Sequence, residues 1–256
     1  MKTNSVGFIG GGRITGIFLQ AFANKGIEFE KIVVFDINVE TVASLKASYP
    51  FIETGDLNQA ASQPIVLIAL HPPVIMETLD KIAEVVNRDT IVVSLAPKIT
   101  LEKIASKLKT RNIVRMIPNA TSYINKGYNP VAFHPEIGKT DQKQVKALLK
   151  VLGKTFETEE SKLESYAIMS AMLPTFFWFQ FQELETIAQQ IGLTPEEASA
   201  TVKSTLKRAI KLYFESELKP SDVMNLVPVK PIGEHESQIA EIYRNKLTGL
   251  FEKIKP

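Results

Sequence analysis

Three glycines at positions 10, 11 and 12, the Arg13-Ile14-Thr15-Gly16 that follows them, and an aspartate at position 36 are the residues whose types and spacing point most directly to chemistry. Gly10 and Gly12 let a backbone approach a pyrophosphate closely, and the free N–H groups that open a following helix, aided by its dipole, bind negative charge. An acidic side chain about twenty residues further on accepts hydrogen bonds from an adenosine ribose, and Asp36 stands where that group belongs. The pattern is that of a dinucleotide cradle. Asp36 also repels a 2′-phosphate, and Ile37-Asn38-Val39 supplies no arginine to receive one, so the local chemistry favours NAD over NADP, with Arg13 as the one nearby cation able to serve a phosphate. Thr15 fills the third small position of the fingerprint, with Gly16 one residue late. A threonine packs less closely than glycine there, which predicts a slightly wider gap between helix and strand.

The elements that must position these residues are legible around them. An apolar strand over 6–9 precedes the glycines, and Ile14, Ile17, Phe18, Ala21 and Phe22 recur at helical spacing until Asn24-Lys25-Gly26 ends the helix. A second strand, 32–35, closes on Asp36. Further strands are expected at 65–70, 90–95, 112–116 and 129–133, separated by helical stripes through Met76, Leu79 and Ile82, through Leu101, Ile104 and Leu108, and through Val145, Leu148 and Leu152. This alternation predicts an α/β fold: an N-terminal Rossmann-type, doubly wound parallel sheet over residues 1–158. From 159 to 256 the pattern is helical only, and a C-terminal all-helical domain is expected. Its first helix, 163–191, is interrupted by Pro174, and Phe176 to Phe181 point around nearly its whole circumference, so it should be buried on all sides. A small domain can hardly achieve that alone; a homodimer through the helical domain is expected, with burial against the first domain of the same chain as the competing reading. Thr194-Pro195-Glu196-Glu197 starts the next helix with an N-cap hydroxyl, a first-turn proline and a capping-box glutamate. A last helix begins near Glu234.

Composition narrows the class. The 256 residues contain no cysteine, so no disulfide framework or thiolate metal site exists, and thirty basic against twenty-eight acidic residues leave a formal charge of +2 without long single-sign blocks. Nothing steers the chain toward nucleic acid. The opening Met1-Lys2-Thr3-Asn4-Ser5 is too short and polar for a signal peptide, and no apolar run reaches the ~18 to 20 residues of a membrane span, so a cytoplasmic protein without a membrane partner is expected. His71, His134 and His235 have no metal-ligand spacing, and no metal is implied. Ser170 lacks a Gly-x-Ser-x-Gly setting, which dismisses a serine hydrolase.

Five short segments in order carry a family resemblance: Gly7-Phe8-Ile9-Gly10-Gly11-Gly12, Ile68-Ala69-Leu70-His71-Pro72, Val93-Ser94-Leu95-Ala96, Val114-Arg115-Met116-Ile117-Pro118-Asn119 and Ser216-Glu217-Leu218-Lys219-Pro220. The chain resembles the pyrroline-5-carboxylate reductases, which reduce a cyclic imine to proline with NAD(P)H, nearly end to end. The resemblance implies that Gly10, Gly12, Arg13 and Ile14 hold the pyrophosphate, that Ala69, Leu70, His71 and Pro72 line the dinucleotide, and that Ala96 and Asn119 border the nicotinamide. His71 replaces the family's lysine, and a loop histidine bonded to backbone is as good a reading as a cofactor contact. The family often uses NADP, in tension with Asp36.

The substrate half departs further. Ser170-Ala171-Met172-Leu173-Pro174-Thr175-Phe176 keeps the first serine and the proline of the family's Ser-Gly-Ser-Gly-Pro-Ala-Tyr but loses its second serine and both glycines. Lys230-Pro231-Ile232-Gly233-Glu234-His235 stands for its Ser-Pro-Gly-Gly-Thr-Thr loop, which binds the substrate carboxylate. An acid at Glu234 repels that carboxylate unless Lys230 or His235 offsets it. By the resemblance Ser170, Glu217, Gly233, Glu234 and His235 bind substrate. His235 has the side-chain type that donates a proton nearest neutrality, and by the resemblance Glu217 faces the substrate nitrogen, with a solvated place at a helix end as its other reading; a polar first turn that merely caps the last helix is the plainer reading of 234–236. The chain also lacks, around Ser170 to Pro174, the lysine on which the related hydroxyacid dehydrogenases depend. The expectation is a reductase of a small cyclic imine, most directly pyrroline-5-carboxylate. The alternatives are another small imine or keto substrate, or a dinucleotide-binding sensor without turnover.

Overall fold

The computed structural model describes residues 5–256, so Met1 to Asn4 of the polar N-terminal segment lie outside the described residues. Eight strands form one sheet: β1 Val6–Ile9, β2 Ile32–Phe35, β3 Glu53–Thr54, β4 Ile65–Ile68, β5 Ile91–Ser94, β6 Ile113–Met116, β7 Gly127–Phe133 and β8 Gly153–Glu157, in the order β3-β2-β1-β4-β5-β6-β7-β8. Every pairing is parallel except β6 with β7. Helices α1 Arg13–Asn24, α2 Val39–Ser48, α3 Leu57–Ala61, α4 Pro72–Ile82, α5 Leu101–Ala105 and α6 Lys139–Lys150 connect the strands. The expected α/β class and its Rossmann-type sheet are what the chain forms.

Because helices cover both faces, the inner strands are apolar at consecutive positions rather than alternate ones. Phe8, Leu67, Val93 and Val114 are buried in the core of one face, while Ile9, Val66, Ile68, Val92 and Ile113 are buried in that of the other. The six expected strands are all present. Sequence pattern misses β3, two exposed polar residues, and β8, whose Gly-Lys-Thr-Phe-Glu lacks an apolar run. At the third fingerprint position Thr15 is fully buried, and its hydroxyl donates to the Gly10 carbonyl at 2.5 Å. The larger side chain thus ties the first turn of α1 to the glycine loop.

The chain forms two compact units, Met1–Met172 with Leu250–Pro256, and Leu173–Gly249. This division falls later than the change of pattern at 158. Ion pairs are the reason: Glu160 and Glu164 bind Arg115 of β6, and Leu163 and Ala167 are buried against the sheet. The helix expected over 163–191 is broken as Pro174 dictates, into α7 Leu163–Tyr166, a π-helical stretch Ala167–Met172, and α8 Thr175–Gln190.

In the second unit α9 Pro195–Glu215 opens with the expected capping box, Thr194 Oγ1 accepting from Glu197 N and Glu197 Oε2 from Thr194 N. After it come α10 Pro220–Asn225, a 3₁₀ turn Gly233–His235, and α11 Glu236–Ile254, which starts two residues later than expected. Only Ala188 of α8 is buried, whereas Trp178 and Phe179 are 49% and 66% exposed. The single chain does not bury this helix on all sides, because its aromatic face has no covering element. Among the described residues no helix is long and apolar enough to cross a membrane.

Candidate functional site

The three glycines of the loop after β1 do different work. Gly10 has φ +104°, donates its N–H to Phe35 O at 2.8 Å, and sits so tightly that a Cβ would lie 2.4 Å from the Ala69 carbonyl oxygen. It is a glycine because the ends of β1, β2 and β4 converge on it. Gly11 donates its N–H to Asp36 Oδ2 at 2.7 Å. Gly12 is the N-cap of α1 in extended conformation, and a Cβ there would meet nothing within 4 Å. No side chain caps the N-terminus of α1, and no acidic residue lies in its first turn. The leading N–H groups of α1 therefore face open space beside exposed Arg13, as a phosphate cradle requires. α4 offers the contrast: Pro72 and Pro73 remove its first donors, and its N-cap, His71, is exposed and makes no capping bond.

Asp36 ends β2 with both oxygens in use, Oδ2 toward Gly11 and Oδ1 accepting from Asn38 N at 2.9 Å. A carboxylate has about four acceptor directions, so it retains capacity for a ligand hydroxyl. Beside it lies a cleft of 280 Å³ among Phe35, Ile37, Leu57, Leu70, Val74 and Lys81. Its walls are mainly apolar, and Ile37 is 91% exposed, which suits one flat ring. On the other side of Asp36 the start of α2 carries a side-chain cap: Asn38 Oδ1 accepts from Glu40 N and Thr41 N at 3.0 and 3.2 Å, and Glu40 places a negative charge in that turn.

The loops beyond β4, β5 and β6 emerge at the same edge of the sheet. Ala69 N donates to Ile9 O and Leu95 N to Ile68 O, which fixes the loop bases, and Ala96 is buried. Asn119 and Ser170, one expected at the nicotinamide and one at the substrate, are brought together. Asn119 Nδ2 donates to Ser170 O at 2.8 Å and to Ser170 Oγ at 3.2 Å, while its Oδ1 accepts from Thr121 N and Thr121 Oγ1. Ser170 Oγ in turn donates to Tyr128 O at 2.6 Å. Both side chains spend their protons within the protein.

The remaining expected residues lie in the second unit. Glu217 is exposed in the bend after α9. Gly233, Glu234 and His235 form the 3₁₀ turn before α11, with Glu234 Oε1 3.5 Å from His235 Nε2 and both side chains exposed. Sequence reasoning named Arg115 only as part of a family-like segment and gave no role to it or to Glu160, Glu164 or Lys98. A signal for the first is present, since an arginine amid the apolar residues of β6 is buried and demands partners of opposite charge.

Comparison with known proteins fits this geometry. The family model described as NADP oxidoreductase coenzyme F420-dependent matches residues 5–98, from the start of β1 to the loop after β5. Pyrroline-5-carboxylate reductase 2 of Bacillus subtilis is 26% identical over 219 residues, 84% of this chain and 78% of its own length. The likeness to pyrroline-5-carboxylate reductases extends along the chain. A pyrroline-5-carboxylate reductase from Coxiella burnetii superposes with a TM-score of 0.70 at 22% identity, covering 99% of this chain and 95% of that one. The Plasmodium falciparum pyrroline carboxylate reductase, solved with NADP bound, gives 0.72 at 17% identity over 99% and 95%. Likeness between structures at such identity speaks for the fold, and the sequence match adds that the relatives are oxidoreductases.

Proposed function

We propose that the protein is a nicotinamide-dinucleotide-dependent reductase of a small cyclic imine, with pyrroline-5-carboxylate as the first candidate substrate. The observation that carries this reading is the uncapped start of α1 behind an open Gly12, with Asp36 clasped to Gly11 beside a ring-sized cleft. The N–H groups from Gly12 to Ile14 and the Arg13 guanidinium would hold the pyrophosphate, Asp36 the ribose, and the cleft between Ile37 and Leu70 the adenine. Ala96 and Asn119 would border the nicotinamide. A bound reduced nicotinamide supplies the hydride. NAD is the preferred form in this reading, because Asp36 and Glu40 put negative charge where a 2′-phosphate would sit and the Asn38 side chain already takes the Glu40 and Thr41 N–H groups.

Reducing an imine also needs a proton on nitrogen, and His235 and Glu217 are the residues assigned to that task and to substrate contact, with Gly233 and Glu234. Ser170 would offer the substrate only a lone pair, since its proton is directed at Tyr128 O. The apolar face of α8 would be covered in a homodimer, and the cytoplasm is the expected compartment. One observation favours a second substrate class: exposed Glu234 puts negative charge where the resembling family has hydroxyls that receive a carboxylate, so a small imine or ketone without that carboxylate is the alternative. Steady-state oxidation of NADH and NADPH with pyrroline-5-carboxylate, and with a cyclic imine lacking the carboxylate, tests both. Turnover of the first supports the reading, turnover of only the second shifts the substrate class, and tight cofactor binding with no turnover of either points to a sensor.

A further inference from the structure

Lys98, two residues beyond Ala96 in the connection from β5 to α5, has φ +75°, a left-handed conformation that a side chain resists. A charged cluster holds it there. Glu164 Oε1 accepts from Lys98 N at 2.9 Å, and Glu160 Oε1 accepts from Leu101 N at 2.7 Å, so two carboxylates grip both ends of the short segment leading into α5. Between them lies Arg115, with Nη1 2.8 Å from Glu160 Oε1 and Nη2 2.6 Å from Glu164 Oε1. Arg115 is fully buried, Glu164 is 1% exposed, and both Arg115 Nε and Glu164 Oε2 lack a partner.

Buried ion clusters add little net stability over well-packed apolar side chains, since desolvation offsets most of the attraction. What this cluster supplies is shape. Glu164 is aimed at the backbone of one loop, the loop that leaves the C-terminal end of β5 where open parallel sheets bind ligands. We propose that Glu164, oriented by Arg115, is a positioning residue for the nicotinamide end of the dinucleotide site: by holding the Lys98 N–H it fixes Ala96, Pro97 and Lys98 in the conformation against which the nicotinamide ring packs. Glu160 steadies the far end through Leu101. The inference rests on the dinucleotide reading above and adds residues that the glycine fingerprint does not contain.

The test compares two ligands. ADP-ribose shares the pyrophosphate, ribose and adenine contacts with NADH but has no nicotinamide. In Glu164→Gln the amide oxygen can stand where Oε1 accepts from both Lys98 N and Arg115 Nη2, but it is neutral and holds both donors more weakly than the carboxylate. Affinity for NADH, measured by calorimetry, should fall about tenfold while that for ADP-ribose stays within about twofold, because only the preorganisation of the nicotinamide end is lost. Equal losses for the two ligands, or no loss for either, would overturn the assignment, since a merely structural role does not distinguish them. If Glu164→Gln fails to fold, Glu160→Gln, at the half-buried end of the cluster, must show the same one-sided loss at about threefold, and its absence refutes the proposal. A parent protein that binds neither ligand refutes the dinucleotide reading itself, and the inference with it.

Discussion

Replacing Asp36 by asparagine should abolish the choice of cofactor while keeping the buried bond to Gly11. The Asp36 carboxylate accepts from Gly11 N at 2.7 Å and from Asn38 N at 2.9 Å. Alanine would strip both bonds and leave the buried Gly11 N–H unpaired, a cost of about 1–3 kcal/mol that would confuse the result. Asparagine keeps one acceptor oxygen for the buried Gly11 N–H, gives up the bond from the exposed Asn38 N, and removes the charge. Two unit charges about 4 Å apart repel by about 1 kcal/mol in water and about 4 kcal/mol at an effective dielectric near 20. The site is open to solvent, so the lower part of that range applies, and about 1.5–2 kcal/mol of discrimination corresponds to a factor of about ten to thirty. The parent should therefore bind NADH more tightly than NADPH by that factor, and Asp36→Asn should abolish the preference while weakening NADH by about fivefold as a charged hydrogen bond becomes a neutral one. Dissociation constants for both reduced cofactors, from fluorescence titration, decide it. Tighter NADPH binding by the parent, or an unchanged ratio in Asp36→Asn, would refute the reasoning and hand the 2′-phosphate to Arg13.

The glycines separate into two outcomes: Gly12→Val should keep its melting temperature but lose at least about tenfold in dinucleotide affinity, whereas Gly10→Ala should destabilise the fold by about 2 kcal/mol or more, since its Cβ meets Ala69 O and its φ is left-handed. Thermal denaturation alongside cofactor titration checks both. Lys98→Gly relieves a left-handed side chain at about 1–2 kcal/mol against a glycine entropy cost of about 0.5–1, so the melting temperature should rise by about 1–4 °C; a fall would show that the lysine side chain itself stabilises the loop. Sedimentation at micromolar concentration should give a dimer for the parent and a monomer for Phe179→Asp, a charge placed on the most exposed aromatic of α8; a monomeric parent would end the dimer proposal.

The sheet was legible where burial on two faces writes continuous apolar runs, as in Ile65-Val66-Leu67-Ile68, and illegible where it does not. β3 is a two-residue pairing with no core to fill, and β8 alternates glycine, lysine and threonine at the edge of the sheet. The geometry of the glycine loop was readable because its requirements are local: a glycine that must be left-handed, a helix start without a cap, and an acid just after β2. The Arg115 cluster was not, because its partners are 45 and 49 residues away in sequence and carry no motif. The covering of α8 is not settled by the sequence for a related reason, since an apolar circumference states that a surface needs covering but not which chain covers it.

The side chains assigned to substrate differ in what they have left to give. Ser170 and Asn119 already use their donors, with Asn119 Nδ2 donating to Ser170 O and Ser170 Oγ, and Ser170 passing its own proton to Tyr128 O. They can border a ligand and set its position, but any new donor bond would break one already made, at a cost comparable to the bond gained. Glu217, Glu234 and His235 are exposed and free to respond to a ligand, and His235 already has a carboxylate 3.5 Å away. Under the proposed assignment, selectivity for the substrate's charge falls to these exposed residues, and the buried pair has only geometry to offer. For that reason His235→Gln should leave cofactor affinity untouched and act on substrate turnover, a separation that a purely capping role for residues 234–236 does not produce.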